Sequence, residues 1–215
     1  MRVAVKICGL NSPAAVRAAL AGGAAFVGFV FYPPSPRCVS PDQAAILAGL
    51  VPEGVVRVGL FVDPDDDTLR RVTARAKLDL VQLHGSETPD RVAAVKRLAG
   101  LPAMKAIKVA DASDVAAADR YVPVADRLLF DAKVSEVQPG ALPGGNAVSF
   151  DWALLSGRTW RLPWMLSGGL HAGNLAEAVR ISGAASVDVS SGVEEHPGVK
   201  DPAKIKAFLA TAQAL

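Results

Sequence analysis

One local device recurs along the chain and constrains what it can fold into. Ser12-Pro13, Ser40-Pro41, Asp63-Pro64, Thr88-Pro89 and Asp201-Pro202 all pair a short polar side chain with a proline. The Ser, Thr or Asp accepts from free N–H groups at a helix start. The proline has no N–H to satisfy and a preset φ. Ser40 with Gln43 also fits a capping box. The first four starts are separated by 28, 23 and 25 residues, about the length of one strand-helix unit.

Apolar runs occupy the intervals: Val3 to Ile7, Ala25 to Phe31, Val55 to Val62, Leu78 to Leu83, Ala103 to Val109, Arg127 to Phe130, Trp164 to Leu166 and Ser186 to Val189. They are continuous rather than alternating, which suits strands buried on both faces. Ala-rich amphipathic segments such as Ala14 to Leu20, Arg91 to Leu98 and Asn174 to Ile181 lie between them. Eight strand-helix alternations predict a single-domain (β/α)8 TIM barrel spanning residues 1–215. An open doubly wound sheet is the alternative, since strand order is not visible in sequence. The one long irregular stretch, Ala132 to Ser149, is rich in Pro and Gly, and a loop of that length in a compact domain is usually functional or mobile.

Composition removes several function classes. Charged residues make up 20% of the chain and nearly cancel to a net +2, with no basic run or aromatic-basic stripe, so no nucleic-acid partner is expected. No apolar stretch approaches the roughly 18 residues that span a membrane, and the N-terminus lacks a signal-peptide pattern. Two cysteines, Cys8 and Cys38, make neither a disulfide framework nor a zinc spacing. The expectation is a reduced, cytoplasmic protein with no metal, either monomer or homodimer.

In a barrel of this kind, chemistry sits at the carboxyl ends of the strands. Strand one ends at Cys8, placing a thiol where a strand becomes a loop. The plain alternative is a small buried hydrophobe. Strand four ends in Gln82-Leu83-His84-Gly85, and His84 reads as a base or as a hydrogen-bonded structural residue. Strand six ends in Leu129-Phe130-Asp131. A carboxyl there is a helix cap or a buried titrating group, and no helix pattern begins at Asp131. Strand periodicity puts Leu129 and Asp131 on one face, and Lys6 and Cys8 likewise. Asp131 and Cys8 therefore form a workable acid-base pair. Gly168-Gly169 after strand seven and Ser191-Gly192 after strand eight leave backbone N–H groups accessible. Phosphate sites in this fold are commonly built from those two loops, although tight turns alone would use glycine too. Arg37 follows a proline-rich loop, and its planar fork suits a carboxylate unless it is an ordinary exposed arginine. Cys38 reads as a packing residue.

Taken in order, Val5-Lys6-Ile7-Cys8-Gly9-Leu10, Phe31-Tyr32-Pro33-Pro34-Ser35-Pro36-Arg37, Val81-Gln82-Leu83-His84-Gly85, Leu129-Phe130-Asp131, Gly144-Gly145, Phe150-Asp151-Trp152, Leu166-Ser167-Gly168-Gly169-Leu170 and Asp188-Val189-Ser190-Ser191-Gly192-Val193-Glu194 resemble the phosphoribosylanthranilate isomerase family. The resemblance implies a cofactor-free (β/α)8 barrel of tryptophan biosynthesis. It implies the Amadori rearrangement of N-(5-phosphoribosyl)anthranilate to 1-(2-carboxyphenylamino)-1-deoxyribulose 5-phosphate. Cys8 would be the general base and Asp131 the general acid. Arg37 would hold the anthranilate carboxylate, His84 would line the site, and backbone groups of Gly168, Gly169, Ser191 and Gly192 would hold the phosphate. The chain departs from the family pattern at Asn146-Ala147-Val148-Ser149 and at His171-Ala172-Gly173-Asn174.

A base role implies a partly lowered thiol pKa, with Lys6 as a source of positive potential. Other phosphosugar barrels fit less well. A histidine-pathway isomerase has an aspartate where Cys8 stands. Indole-glycerol-phosphate synthase requires Lys and Glu at strand ends. A non-catalytic phosphate sensor would not need Cys8 and Asp131 together.

Overall fold

The structure, a computed structural model, describes residues 3–133, 144–145 and 148–215. Most of the Ala132 to Ser149 loop, including Asn146 and Ala147, lies outside these residues. Eight parallel strands form a closed barrel in chain order: β1 (Ala4–Cys8), β2 (Phe26–Val30), β3 (Val56–Phe61), β4 (Leu80–Leu83), β5 (Ala103–Val109), β6 (Arg127–Ala132), β7 (Trp164–Leu166) and β8 (Ser186–Val189). β1 pairs with β8, with Lys6 opposite Asp188, so no edge remains open. The open-sheet alternative is thereby excluded. Three expected runs coincide with their strands, and most of the others are trimmed by a residue or two. β6 instead continues past Phe130 through Asp131 to Ala132.

The helices α1 (Pro13–Ala21), α2 (Pro41–Ala48), α3 (Asp66–Arg75), α4 (Pro89–Ala99), α5 (Ala112–Ala117), α6 (Leu175–Ser182) and α7 (Pro202–Gln213) surround the barrel. Four of the five expected caps form. Ser12 accepts from the Ala15 N–H at 3.3 Å, Ser40 from Gln43 at 3.1 Å, Thr88 from Arg91 at 3.2 Å, and Asp201 from Ala203 at 2.7 Å. The fifth does not. The cap of α3 is Asp65, which accepts from the Thr68 N–H at 2.7 Å. Asp63 turns away with φ 45° and accepts from the Ser86 N–H at 2.8 Å, joining two rim loops. The capping box is half made, because the Gln43 amide donates to the Asn11 carbonyl at 3.0 Å. Between β6 and β7, the described residues hold a 3-10 turn, Trp152–Leu155, rather than an α-helix.

The barrel interior changes character along its axis. Phe26, Val58, Leu80, Met104, Leu129 and Met165 fill the lower part as an apolar plug. A second and larger apolar layer lies between the strands and the helices. Above the plug the interior turns polar: Lys6 and Gln82 are fully buried, and Asp188 is nearly so. Polar groups at that depth must be paired to be tolerated.

Outside the barrel, one buried pair ties loops together. Lys105 donates to Glu87 at 2.7 Å and to the Gly85 carbonyl at 2.7 Å. Glu87 also accepts from the Asp63 N–H at 2.8 Å, and its carbonyl accepts from the Tyr121 hydroxyl at 3.0 Å. Removing one partner of such a pair strands the other charge. Glu87→Ala is expected to lower unfolding free energy by about 3–5 kcal/mol in guanidinium melts. Adding Lys105→Met should recover part of that. A loss under about 1 kcal/mol, the range of exposed pairs, would show that the clamp is dispensable.

Candidate active site

Strand direction delivers three reactive groups to one end of the barrel. Cys8 closes β1, Asp131 is the penultimate residue of β6, and His84 directly follows β4, its N–H donating to the Phe61 carbonyl at 2.8 Å. All three are buried and line one cleft, walled by both apolar and polar side chains. Arg37 and Ser167 line it as well. His84 Nε2 lies 3.0 Å from Asp131 Oδ2, and the Ala132 N–H reaches Oδ1 at 3.0 Å.

Beneath Cys8, the Lys6 ammonium donates to Asp188 at 2.8 Å, and Ser167 donates to the other Asp188 oxygen at 3.3 Å. Gly28 on β2 makes room for this. A Cβ at that position would come within 3.2 Å of both the Cys8 sulfur and Lys6 Nζ. Burial by itself would lower the Lys6 pKa, but the Asp188 carboxylate and the Cys8 sulfur outweigh it and hold the amine above its ordinary range. For Cys8 the balance tips the other way. Burial pushes the thiol up, Lys6 pulls it down only in part, and Asp188 pushes it up further. The lowered thiol pKa expected from sequence is therefore corrected. Lys6 acts on Cys8 as anticipated, but desolvation of a thiolate in this buried position outweighs it.

Arg37 is neither an exposed arginine nor an open fork. It is buried, and its Nε and Nη2 edge grips Glu194 at 2.7 and 2.8 Å. Nη2 also donates to the Gly145 carbonyl at 3.2 Å. Glu194 accepts from Lys200 at 2.7 Å, and Lys200 donates onward to the Ser190 carbonyl at 2.9 Å. Glu194 and Lys200 sit on a short antiparallel hairpin, β9 (Glu194–His196) and β10 (Val199–Lys200). Burial raises the Glu194 carboxyl, yet Arg37 and Lys200 together bring it below the usual range. Glu194, Lys200 and Asp188 escaped the sequence reading as functional residues. Glu194 and Asp188 stood within the quoted motifs, but their partners are distant in the chain, so nothing local marked them.

The two glycine-bearing turns lie where barrel phosphate sites are found. Gly168 and Gly169 have φ of 91° and 62°, a region that favours glycine. A side chain at Gly168 would meet the Ala132 nitrogen at 2.8 Å. Gly168, Gly169 and Ser191 line the cleft. Gly192 is instead pressed against the Leu170 carbonyl, where a Cβ would not fit. Among the described residues, the N–H groups of Gly168, Gly169, Ser191 and Gly192 donate to no protein acceptor. Unspent donors of this kind make an anion cradle. Among the same residues, no group of three or more His, Cys, Asp or Glu side chains is placed to hold a metal. Among the described residues, no helix is long and apolar enough to cross a membrane.

Such a molecule falls in the class of (β/α)8 barrels equipped for acid-base chemistry on a small anionic ligand. A model of the N-(5'-phosphoribosyl)anthranilate (PRA) isomerase family matches residues 5–211. The N-(5'-phosphoribosyl)anthranilate isomerase of Rhodospirillum centenum is 62% identical over 215 residues, covering 100% of each chain. The crystal structure of phosphoribosyl anthranilate isomerase from Thermotoga maritima superposes with a TM-score of 0.87 at 36% identity, covering 99% of this chain and 100% of that one. A complex of such an isomerase with reduced 1-(o-carboxyphenylamino)-1-deoxyribulose 5-phosphate superposes with a TM-score of 0.85 at 34% identity, over 99% and 100% of the two chains. The chain belongs to the N-(5'-phosphoribosyl)anthranilate isomerase family.

The thiol environment has a measurable consequence. In a Cys38→Ser background, the thiolate absorbance of Cys8 should rise only above about pH 8.5, the ordinary cysteine value. Lys6→Met removes the ammonium and should move that rise higher still. A thiolate already formed at neutral pH would contradict the desolvation account.

Proposed function

We propose that this protein isomerises N-(5'-phosphoribosyl)anthranilate to 1-(2-carboxyphenylamino)-1-deoxyribulose 5-phosphate, with Asp131 as general acid and Cys8 as general base. The carrying observation is that family membership over nearly the whole chain coincides with a thiol and a carboxyl facing one cleft beside an anion cradle. Asp131 gives its proton to the ribose ring oxygen as the bond from that oxygen to carbon 1 breaks. The product of that step is an open-chain protonated Schiff base. Cys8 in its thiolate form then takes the proton from carbon 2, and the electron pair moves to make the enolamine. Tautomerisation yields the ketone. One cycle leaves the thiol protonated and Asp131 ionised, so a proton must return before the next.

A buried thiol is a poor base while protonated, but its high proton affinity suits a step that must pull hydrogen from carbon. Lys6, held charged by Asp188, supplies the positive potential that a thiolate needs. Arg37 turns its Nη1 edge toward the anthranilate carboxylate, with Glu194 fixing the guanidinium plane. The backbone donors of Gly168, Gly169 and Ser191 take the phosphate, and Gly192 adds its N–H from behind the Leu170 contact. The small phosphorylated ligand is the partner, and the chemistry as written draws on no cofactor.

Loss of anthranilate-type fluorescence follows turnover directly. Cys8→Ala and Asp131→Asn should each lower kcat by about 100- to 10,000-fold while the barrel stays folded. Turnover near wild type in either variant removes that residue from its role. Arg37→Ala should act mainly on KM, and Glu194→Gln should do the same more weakly. An unchanged KM in Arg37→Ala would place the carboxylate elsewhere.

A further inference from the structure

Among the described residues Asp131 meets two hydrogen-bond partners, and as placed both suit the ionised carboxylate. The Ala132 N–H donates to Oδ1 at 3.0 Å, and as a backbone amide it can only donate. The imidazole of His84 stands 3.0 Å from Oδ2, and it can donate or accept according to its tautomer. On the far side of the ring, Gln82 Nε2 lies 2.8 Å from His84 Nδ1. An amide NH2 is a donor, so Nδ1 is the acceptor and the ring proton sits on Nε2, aimed at Asp131. That arrangement belongs to an acid that has already given its proton away.

A loaded acid needs the opposite arrangement. When Asp131 carries its proton on Oδ2, that O–H must find an acceptor, and His84 Nε2 is the only one of the two partners able to become one. It does so only if the ring proton moves to Nδ1, and Nδ1–H then needs an acceptor in turn. Gln82 carries one. Its Oε1 is fully buried and, among the described residues, has no hydrogen-bond partner. Rotating the amide by half a turn exchanges a donor for an acceptor at Nδ1. One amide atom is unpartnered in either orientation, so no other hydrogen bond is lost. The side chain sits in the barrel interior one residue pair below His84, above Leu80 and the apolar plug, where water cannot easily substitute for it.

We propose that Gln82 is a positioning residue for the acid: its amide rotates with the tautomer of His84, and the pair switches Asp131 between a discharged and a loaded state. The discharged state is Gln82 N–H to Nδ1 with Nε2–H to carboxylate. The loaded state is Nδ1–H to Gln82 Oε1 with the Asp131 O–H to Nε2. Passing from the first to the second adds one proton, the one that each cycle must restore to Asp131. The switch therefore rests on the acid role of Asp131.

The test reads the tautomer as well as the rate. Protein labelled with ¹⁵N at histidine reports which ring nitrogen of His84 carries hydrogen, with His84→Gln used to assign the signal. Wild type in the discharged state should show Nε2–H. Asp131→Asn is a stand-in for the loaded acid. Its oxygen must stay on the Ala132 N–H, so its NH2 faces Nε2, and His84 should change to Nδ1–H. Adding Gln82→Met to that variant removes the acceptor and should abolish the change. Gln82→Met alone should lower kcat at least about tenfold, a part of what a positioned acid supplies, with KM within about twofold. A His84 that keeps Nε2–H in Asp131→Asn, a ring protonated on both nitrogens in wild type, or normal kcat in Gln82→Met would each overturn the switch. Failure of the acid role is separate and shows as normal turnover in Asp131→Asn, whatever Gln82 does.

Discussion

The ion pair between Lys6 and Asp188 is the interaction on which the remainder depends. It spans β1 and β8, the seam at which the barrel closes, with its partners in register and 2.8 Å apart. A lysine with no exposed surface is tolerable only because that carboxylate meets it. The same pair marks the level at which the interior changes from apolar to polar. Below it the barrel is filled by carbon. Above it polar side chains enter the interior, and Ser167 extends the pairing from β8 to β7. The seam thus holds the fold shut and sets the electric field under the thiol.

Cleft and fold share parts in a second place. Arg37 follows β2, while its partners Glu194 and Lys200 follow β8. Gly198 of the hairpin lies so close to the Pro36 carbonyl that a Cβ there would stand 2.6 Å from it, and Asn11 donates to the Gly198 carbonyl at 2.8 Å. Early and late parts of the chain are locked together over the rim. The guanidinium is held along its Nε and Nη2 edge by protein, a grip that only the closed barrel creates.

Much of the fold was legible because its signals are local. A Ser, Thr or Asp placed to reach the third residue of a helix caps it regardless of what lies around, as Ser12, Ser40, Thr88 and Asp201 do. Asp63 misled because Asp65 stands on the other side of Pro64 with the better spacing to Thr68. Gln43 misled because a neighbouring loop offered its amide the Asn11 carbonyl. The strand ends were equally legible, since a barrel puts chemistry where strands stop, and Cys8, His84 and Asp131 share one cleft. What could not be read was anything set by partners far along the chain. The Arg37–Glu194 grip joins residues 157 positions apart, and Lys6–Asp188 joins residues 182 apart. The Cys8 proton affinity follows from burial, which a sequence does not display.

Burial of the Cys8 thiol also has a redox consequence. Oxidants and electrophiles attack thiolates at exposed positions. Cys8 is 4% exposed and holds its proton more tightly than a free cysteine. The environment that delays its ionisation also lowers its exposure to peroxide. The half-buried Cys38, on the outer rim, is the sulfur that meets such reagents first. The barrel thereby gives the Cys8 sulfur a redox shelter that the Cys38 sulfur lacks.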